Sequence, residues 1–292
     1  MKTRALRPIL VAAVIALACV RVSAAPRNFV WKATGAKGVV YLAGSVHLLS
    51  PKYYPLDPAF DTAFNNSSLL VEELDMSEML SPESQLAMLK RGLLPPGQSI
   101  DKLLTPETLT AVKKALADLG VPAPPLLQFK PWMLAITLQS LQWQKAGFDA
   151  DLGVDKHFYD RAKLQNKPIK GLETLEFQIS RFDGMSATQQ EQLLVETMEE
   201  LRGANESFTE IADAWKNGDA DTVERLALKD LQGQPDLYQR LLVERNRAWM
   251  PQIEALISPA RPAFVVVGAA HLVGPDGLLK MLAAKGYTIE QL

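Results

Sequence analysis

Apolar, β-branched runs alternate along the chain with amphipathic segments, and the runs concentrate toward the two ends. Each run is four to six residues of mostly Val, Ile, Leu or Ala bounded by turn residues, which is typical of a buried or half-buried strand. The pattern predicts strands within "KGVVYLAG", "SLLVEELD", "KPIKGLE", "RPAFVVVG" and "YTIEQL", at residues 37–44, 68–75, 167–173, 261–268 and 287–292.

The segments between these runs carry helix start and stop signals. Thr105 and Pro106 open one helix and Gly120 ends it, and Asp57 with Pro58 opens a shorter helix. Further helices are predicted at 130–147, 153–167, across most of 186–257, and at 275–286. Strands that alternate with helices favour an α/β fold. We therefore predict a mixed, partly parallel sheet flanked by helices, with a large helical insertion between the strand units at 37–44 and 261–268.

The first 24 residues have the features of a signal peptide. A basic start precedes an apolar stretch from Ile9 to Val20, and small residues follow at "VSAA". The stretch is shorter than the ~20 apolar residues that span a membrane. Cys19, the single cysteine, lacks the upstream Leu of a lipoprotein signal, so lipidation is disfavoured. We expect cleavage after Ala24, one domain over 25–292, and a periplasmic or secreted location.

The composition of residues 25–292 limits the classes of function. Without the four basic residues of the first 24 positions, 27 basic and 33 acidic residues remain, so no basic surface for nucleic acid is expected. No cysteine remains for a disulfide or a thiolate nucleophile. No second apolar run is long enough to cross a membrane. An ordinary exported globular protein fits these facts.

One motif occurs twice, although the chain has only three histidines. Residues 40–51, "VYLAGSVHLLSP", and 264–275, "FVVVGAAHLVGP", both give an apolar strand, Gly-x-x-His-Leu, and a Pro four residues after the His. Ligands of open α/β sheets bind beyond the carboxyl ends of the strands. Gly44 and Gly268 are expected to let the backbone turn off the strand and approach closely. If the strands are neighbours, His47 and His271 meet at one site.

The strand at 68–75 adds carboxylates to this edge. Neighbouring side chains of a strand point to opposite faces, so only one of Glu72 and Glu73 can face the crevice. Two His and one Glu are suitable ligands for a divalent metal ion, and they are equally suitable as base, acid and orienting group in hydrolysis without a metal. Taken singly, a Gly-x-x-His motif more often marks an ordinary capping or packed histidine.

Four further residues are candidates, each beside an ordinary alternative. Asp155 begins a helix, where it is equally well explained as a partner of the helix dipole. Glu173 follows a short strand and can also face the crevice. Arg245 and Asn246 lie on a long helix, where an Arg can bind an oxyanion or simply pair with another helix residue. The third histidine, His157, is expected to be a surface or packing residue.

The ordered motifs resemble the TraB/PrgY/GumN family. They are "YLAGSVHLL", "LLVEELD", "DLGVDKHFYDRA", "KPIKGLETLEFQ", "ERNRAWM" and "FVVVGAAHLVGPDGLLKML". That family is similar to the Tiki proteases of animals and, more distantly, to erythromycin esterases and ChaN lipoproteins. The resemblance implies an α/β core whose active centre contains both Gly-x-x-His motifs, Glu73 rather than Glu72, and the pair Arg245 and Asn246.

The function implied is hydrolysis of a peptide or another acyl bond. The first hypothesis is a divalent metal ion held by His47, Glu73 and His271, with Arg245 or Asn246 stabilising the oxyanion. The second is a metal-free, esterase-like hydrolase in which one His is the general base and the Glu orients it. The third is a binding or accessory protein of the periplasm without catalysis.

Overall fold

The computed structural model describes residues 27–202, 204–258 and 261–292. The predicted signal peptide lies outside them. Six strands form one sheet: β1 Val30–Gly35, β2 Gly38–Ser45, β3 Leu69–Glu72, β4 Ile169–Gly171, β5 Ala263–Gly268 and β6 Thr288–Gln291. Five of these strands fall at the predicted positions.

The sheet is mixed, in the order β4-β3-β5-β2-β1-β6. The strands β4, β3, β5 and β2 are mutually parallel, whereas β1 pairs antiparallel with both β2 and β6. The sequence pattern did not predict β1, in which Lys32 and Thr34 interrupt the apolar positions. It forms a hairpin with β2 that brings Gly35 opposite Gly38. The partly parallel α/β class predicted from the sequence is confirmed.

Helices occupy most of the remaining described chain. The long ones agree with the predicted positions, and Met76–Gly92 adds helices that the pattern did not indicate. In chain order they are α1 Pro58–Asn65, α2 Met76–Met79, α3 Pro82–Gly92, α4 Pro106–Leu119, α5 Ala123–Leu126, α6 Pro131–Lys145, α7 Val154–Leu164, α8 Leu175–Asp183, α9 Ala187–Arg202, α10 Ala204–Lys216, α11 Ala220–Gln232, α12 Pro235–Tyr238, α13 Glu244–Ala255, α14 Ala269–Leu272 and α15 Leu278–Ala284.

The predicted helix boundaries have the expected capping chemistry. The Asp57 side chain accepts from the N–H of Ala59 at the start of α1, and Thr105 accepts from Thr108 at the start of α4. Gly120 ends α4 with φ of 75°, a left-handed conformation that glycine adopts at little cost. A π-helical turn, Gln239–Val243, lies between α12 and α13.

The apolar core has two main parts. The larger cluster surrounds the sheet and includes Phe264 of β5, Phe158 of α7 and Trp249 of α13, all completely buried. A second cluster joins α4, α6 and α9 in the helical insertion through Val112, Leu138 and similar residues. Among the described residues, no helix combines the length and the apolar character needed to cross a membrane.

Candidate functional site

The two Gly-x-x-His units lie side by side. In the parallel pair of β2 and β5, Gly44 is opposite Val267 and Ser45 is opposite Gly268, so both strands end at the same edge. On the other side of β5, Glu72 is opposite Val266, so Glu73 follows at that edge too. The strand order β3-β5-β2 therefore brings all three predicted segments together, as the repeated motif indicated.

The predicted side chains meet around Gly268. A Cβ atom placed on Gly268 would lie 3.2 Å from Glu73 Oε1, 3.5 Å from His47 Nε2 and 3.6 Å from His271 Cδ2. The first of these distances is too short for comfortable packing, so the glycine allows the carboxylate to approach the strand. The convergence of the two histidines and Glu73 on one edge of the sheet agrees with the arrangement expected from the motif.

Gly44 allows close packing in a different place. A Cβ on Gly44 would lie 2.3 Å from Phe29 Cδ1 and 3.1 Å from the Cα of Ala269. Neither Gly44 nor Gly268 has a positive φ. The expected sharp turn is therefore not the reason for either glycine, and both are explained by the approach of neighbouring groups.

Glu73 is held by a backbone donor and a cation. Its Oε1 accepts from the N–H of Gly268 at 2.7 Å, and its Oε2 accepts from Nη2 of Arg245 at 2.5 Å. Burial acts to raise the pKa of Glu73, but Arg245, the two histidines and the Gly268 N–H outweigh it. The pKa lies below its usual range, so Glu73 is a carboxylate at any physiological pH.

Glu72 faces elsewhere, as the alternation of a strand requires. It is 2% exposed, and its carboxyl oxygens make no hydrogen bond within the described chain. Burial, assisted by the negative charge of Asp155, raises the pKa of Glu72 to about 9. Glu72 is therefore neutral at pH 7, and Glu73 is the carboxylate that joins the histidines.

Arg245 is buried at the centre of the site with every N–H engaged. Its Nε donates to Glu173, Nη1 donates to the Leu241 carbonyl at 3.2 Å and to His271 Nε2 at 3.0 Å. Its Nη2 donates to Glu73 and, at 2.8 Å, to Glu173 Oε1. A guanidinium has five N–H groups, so none is left for a further acceptor. Burial acts to lower the pKa of Arg245, but the two carboxylates raise it above its ordinary value.

A π-helical turn, Gln239–Val243, lies just before Arg245 in the chain. In this turn, the N–H of Glu244 bonds to the Gln239 carbonyl, one residue further back than in an α-helix. Such turns are frequent at functional sites. Trp249, one helical turn after Arg245, donates from Nε1 to Glu173 at 3.0 Å and lies with its ring 4.7 Å below the guanidinium. In the sequence, only the spacing of four residues from Arg245 indicated that Trp249 lies on the same helix face.

His271 is fixed as a neutral imidazole. The amide nitrogen of Asn246 donates to the carbonyls of His271 and Asp276, so its oxygen faces His271 Nδ1, at 2.7 Å, as an acceptor. The ring proton is thereby assigned to Nδ1, and Nε2 accepts from Arg245. Burial is the main cause that lowers the pKa of His271 to about 3, and the charge of Arg245 adds to it.

His47 is the exposed member of the site. Its side chain is 54% exposed, its Nδ1 lies 3.1 Å from Asp155 Oδ2, and its Nε2 faces Gly268. Burial acts to lower the pKa of His47, but the Asp155 carboxylate is the main cause that raises it to about 9. Solvent moderates this shift, since half of the side chain is accessible. Asp155 also accepts from Ser45 Oγ at 2.9 Å, a contact that the sequence did not indicate.

The segment that carries Asp155 is joined to the His47 loop through its backbone. Leu49 and Asp149 exchange backbone hydrogen bonds of 3.1 and 2.8 Å, and the N–H of Val154 donates to the Val46 carbonyl at 3.2 Å. A Cβ on Gly153 would lie 2.3 Å from the His47 carbonyl oxygen, so only glycine allows this approach. Asp155 is thus held in position against His47.

The arrangement does not fit the predicted metal ion. The single lone pair of His271 Nε2 accepts from Arg245, and Glu73 Oε2 accepts from the same guanidinium, so a metal ion at these two residues would have to displace Arg245. Within residues 27–202, 204–258 and 261–292, no three His, Cys, Asp or Glu side chains are placed to hold a metal ion together. The ion remains a prediction of the sequence.

The described fold and site define a mixed-sheet α/β protein with two Gly-x-x-His segments at one sheet edge. The TraB/PrgY/gumN family model matches residues 29–291, so the chain belongs to that family. It is 28% identical to YbaP of Escherichia coli K12, an uncharacterised protein, over 83% of this chain and 87% of YbaP. An uncharacterised protein of Treponema pallidum is 22% identical over 86% of this chain and 79% of its own length. No solved structure matches the chain.

Proposed function

We propose that this protein is a hydrolase of peptide or other acyl bonds in which His47 transfers the proton. The observation that carries the proposal is the half-exposed imidazole whose Nδ1 is held by Asp155 while its Nε2 faces Gly268 and Glu73. A carboxylate on Nδ1 fixes the ring orientation and keeps the other nitrogen directed at the reactants. In the esterase-like hypothesis from the sequence, a Glu orients the base. The geometry supports Asp155 in that role.

The proposed reaction needs only a water molecule and the substrate. Neutral His47 takes a proton from the water at Nε2 while the water oxygen bonds to the carbonyl carbon. The protonated imidazole then gives that proton to the leaving nitrogen or oxygen as the acyl bond breaks. Arg245 and Asn246 support the reaction by holding Glu73 and His271, since every N–H of Arg245 is already engaged. The oxyanion role predicted for Arg245 or Asn246 would require one of these bonds to be exchanged.

A panel of peptide and ester substrates tests the proposal. The wild type and His47→Gln are compared, with His157→Gln as the matched control, because His157 lies on α7 against Tyr54 and Phe158 rather than at the sheet edge. We expect turnover by the wild type and His157→Gln, and a loss of ~10²-fold or more in His47→Gln, the usual contribution of a general base. If the wild type binds peptides without turning any over, the binding-protein hypothesis replaces this one.

We also propose that the protein is exported to the periplasm or the outside of the cell. The support is the order of basic start, apolar stretch and small residues within the first 24 positions. An exported hydrolase of this kind would meet peptides or acylated molecules outside the cytoplasm. This part of the proposal is independent of the chemistry at His47.

A further inference from the structure

We infer that the Arg245 guanidinium is the resident cation of this site and excludes a divalent metal ion from Glu73 and His271. The side chain is 8% exposed and lies between the two residues that the sequence suggests as ligands. It bonds to Glu73 Oε2 at 2.5 Å and to His271 Nε2 at 3.0 Å. The single lone pair of His271 Nε2 accepts from Arg245 and cannot also bind a metal ion, and both Glu73 oxygens are already shared with Arg245 and the Gly268 N–H.

The surrounding groups match a guanidinium rather than a compact ion. Glu173 is buried and accepts from both Nε and Nη2, and Trp249 lies against the guanidinium. A planar fork of donors is recognised in this way by carboxylates and aromatic rings. The Leu241 carbonyl completes the set by accepting from Nη1 at 3.2 Å. If Arg245 moved aside, Glu173 would keep only the Trp249 Nε1–H as a side-chain donor.

While Arg245 is in place, a second group also holds each of the two proposed ligands. His271 is fixed through Asn246, which is itself completely buried and bonded to two carbonyls. Glu73 is fixed by the N–H of Gly268. A divalent ion placed between them would therefore face the positive charge of Arg245 at close range, in a buried environment that screens the repulsion weakly.

The inference predicts that the wild type and an Arg245 variant differ in metal binding. Arg245→Leu leaves Glu73, Glu173 and neutral His271 without their cation. Two carboxylates and an imidazole are good ligands for Zn²⁺ or Mn²⁺. We expect the wild type not to bind either ion at this site, and Arg245→Leu to bind one Zn²⁺ with affinity on the order of 100-fold higher or more, as removal of a nearby charge implies.

Calorimetric titration with Zn²⁺ and Mn²⁺ measures the affinity for each ion. The melting temperature with and without the ions provides a second measure of binding. Arg247→Leu is the matched control, since Arg247 is exposed on the same helix. A second variant, Arg245→Leu/Glu173→Gln, removes one buried carboxylate with the cation in case Arg245→Leu alone does not fold. Because neither readout uses a substrate, the result does not depend on whether hydrolysis is observed.

The outcomes are distinct. The inference is supported if the wild type and Arg247→Leu show no ion bound, and if the Arg245 variants gain one ion that His271→Ala removes again. It is overturned if the wild type binds one ion tightly and loses it in Glu73→Gln or His271→Ala. It is also overturned if a folded Arg245 variant binds no more ion than the wild type.

Discussion

Asp155 Oδ2 lies 3.1 Å from Nδ1 of His47, although 108 positions separate the two residues in the chain. The contact exists because residues 149–154 bond through their backbone to the loop that follows β2. It raises the pKa of the only histidine of the site that is accessible to solvent.

Asp155→Asn is expected to lower the pKa of His47 from about 9 toward the ordinary value of 6.5. Hydrolysis by the neutral imidazole should therefore rise with pH toward about 9 in the wild type and reach its plateau at lower pH in the variant. The plateau itself should be lower, because an amide orients the ring less firmly. Titration of the His47 ring protons by NMR and the pH profile of kcat/KM measure the two effects.

Asp151→Asn is the control for this prediction, since Asp151 is an exposed acid on the same segment. The pair also has a stability effect with a defined sign. A histidine with a raised pKa in the folded state contributes stability below pH 6.5, and that contribution disappears as the pH rises through about 9. An unchanged His47 pKa in Asp155→Asn would show that the contact does not control the imidazole.

Glu73→Gln and Glu72→Gln should have opposite effects on stability. Removing the Glu73 charge leaves Arg245 with one carboxylate fewer, and breaking a buried ion pair costs about 3–5 kcal/mol. Glu72 is already neutral when folded, and it must lose its proton on unfolding above its ordinary pKa of 4.5. Glu72→Gln should therefore stabilise the protein near pH 8 and have little effect at pH 5, because a glutamine has no proton to lose on unfolding.

Denaturant unfolding of both variants at pH 5, 7 and 8 measures these differences. A carboxyl group whose folded pKa is raised removes stability as the pH increases above its unfolded pKa. If Glu72→Gln destabilised the protein at every pH, the buried carboxyl would have to be a hydrogen-bond donor that stabilises the fold. If Glu73→Gln were neutral, its contact with Arg245 would not matter.

Gly44→Ala and Gly268→Ala should separate folding from function. The added methyl at Gly44 meets the Phe29 ring at 2.3 Å, so we expect overpacking to destabilise the protein by about 1–3 kcal/mol. At Gly268 the nearest atom is Glu73 Oε1 at 3.2 Å, a side chain that can shift by a few tenths of an ångström. Gly268→Ala should unfold almost like the wild type but lose much of its activity.

Unfolding curves and turnover for the two alanine variants provide the comparison, with Gly97→Ser as a control. A Cβ at Gly97 meets nothing within 4 Å, so the control reports only the conformational cost of its φ of 82°, about 1–2 kcal/mol, with no steric contact. Equal destabilisation by Gly44→Ala and Gly268→Ala would mean that the Glu73 carboxylate cannot move. The proposed tolerance at Gly268 would then be wrong.

Export is tested by sequencing the N-terminus of the protein from a periplasmic fraction. We expect the sequence to begin at Ala25, because "VSAA" provides small residues at the cleavage site. A variant with Arg inserted in the apolar stretch 9–20 should keep its leader and remain in the cytoplasm. Recovery of an acylated Cys19 in the membrane fraction would support the lipoprotein reading instead.

The sequence predicted the edge where the site lies because the signal there is local and repeated. A strand, a glycine and a histidine at fixed spacing recur at His47 and His271, and parallel strands end at a shared edge. The choice of Glu73 over Glu72 followed from the resemblance to the family, and strand alternation agrees with it. The helices with clear caps, such as α4, could equally be predicted from the sequence pattern.

The contacts that the predicted residues make could not be predicted in the same way. Asp155 looked equally like an ordinary helix-start acid, because nothing local shows that Gly153 packs on the His47 backbone. Arg245 and Glu173 were both candidates, but their mutual ion pair crosses 72 positions. The short strand β1 was missed because it is stabilised by pairing with β2 and β6 rather than by its own apolar pattern.

The order of the strands has a consequence for how the protein is made. β5 lies between β3 and β2, yet it is formed by residues 263–268, and β6 by residues 288–291 closes the sheet against β1. During synthesis, nearly the entire chain must be made before β5 can pair with the two segments that carry His47 and Glu73. Contacts that join such distant positions form slowly. A nascent chain stopped before Ala263 would therefore lack β5, the strand that joins β3 to β2 at the edge where this site lies.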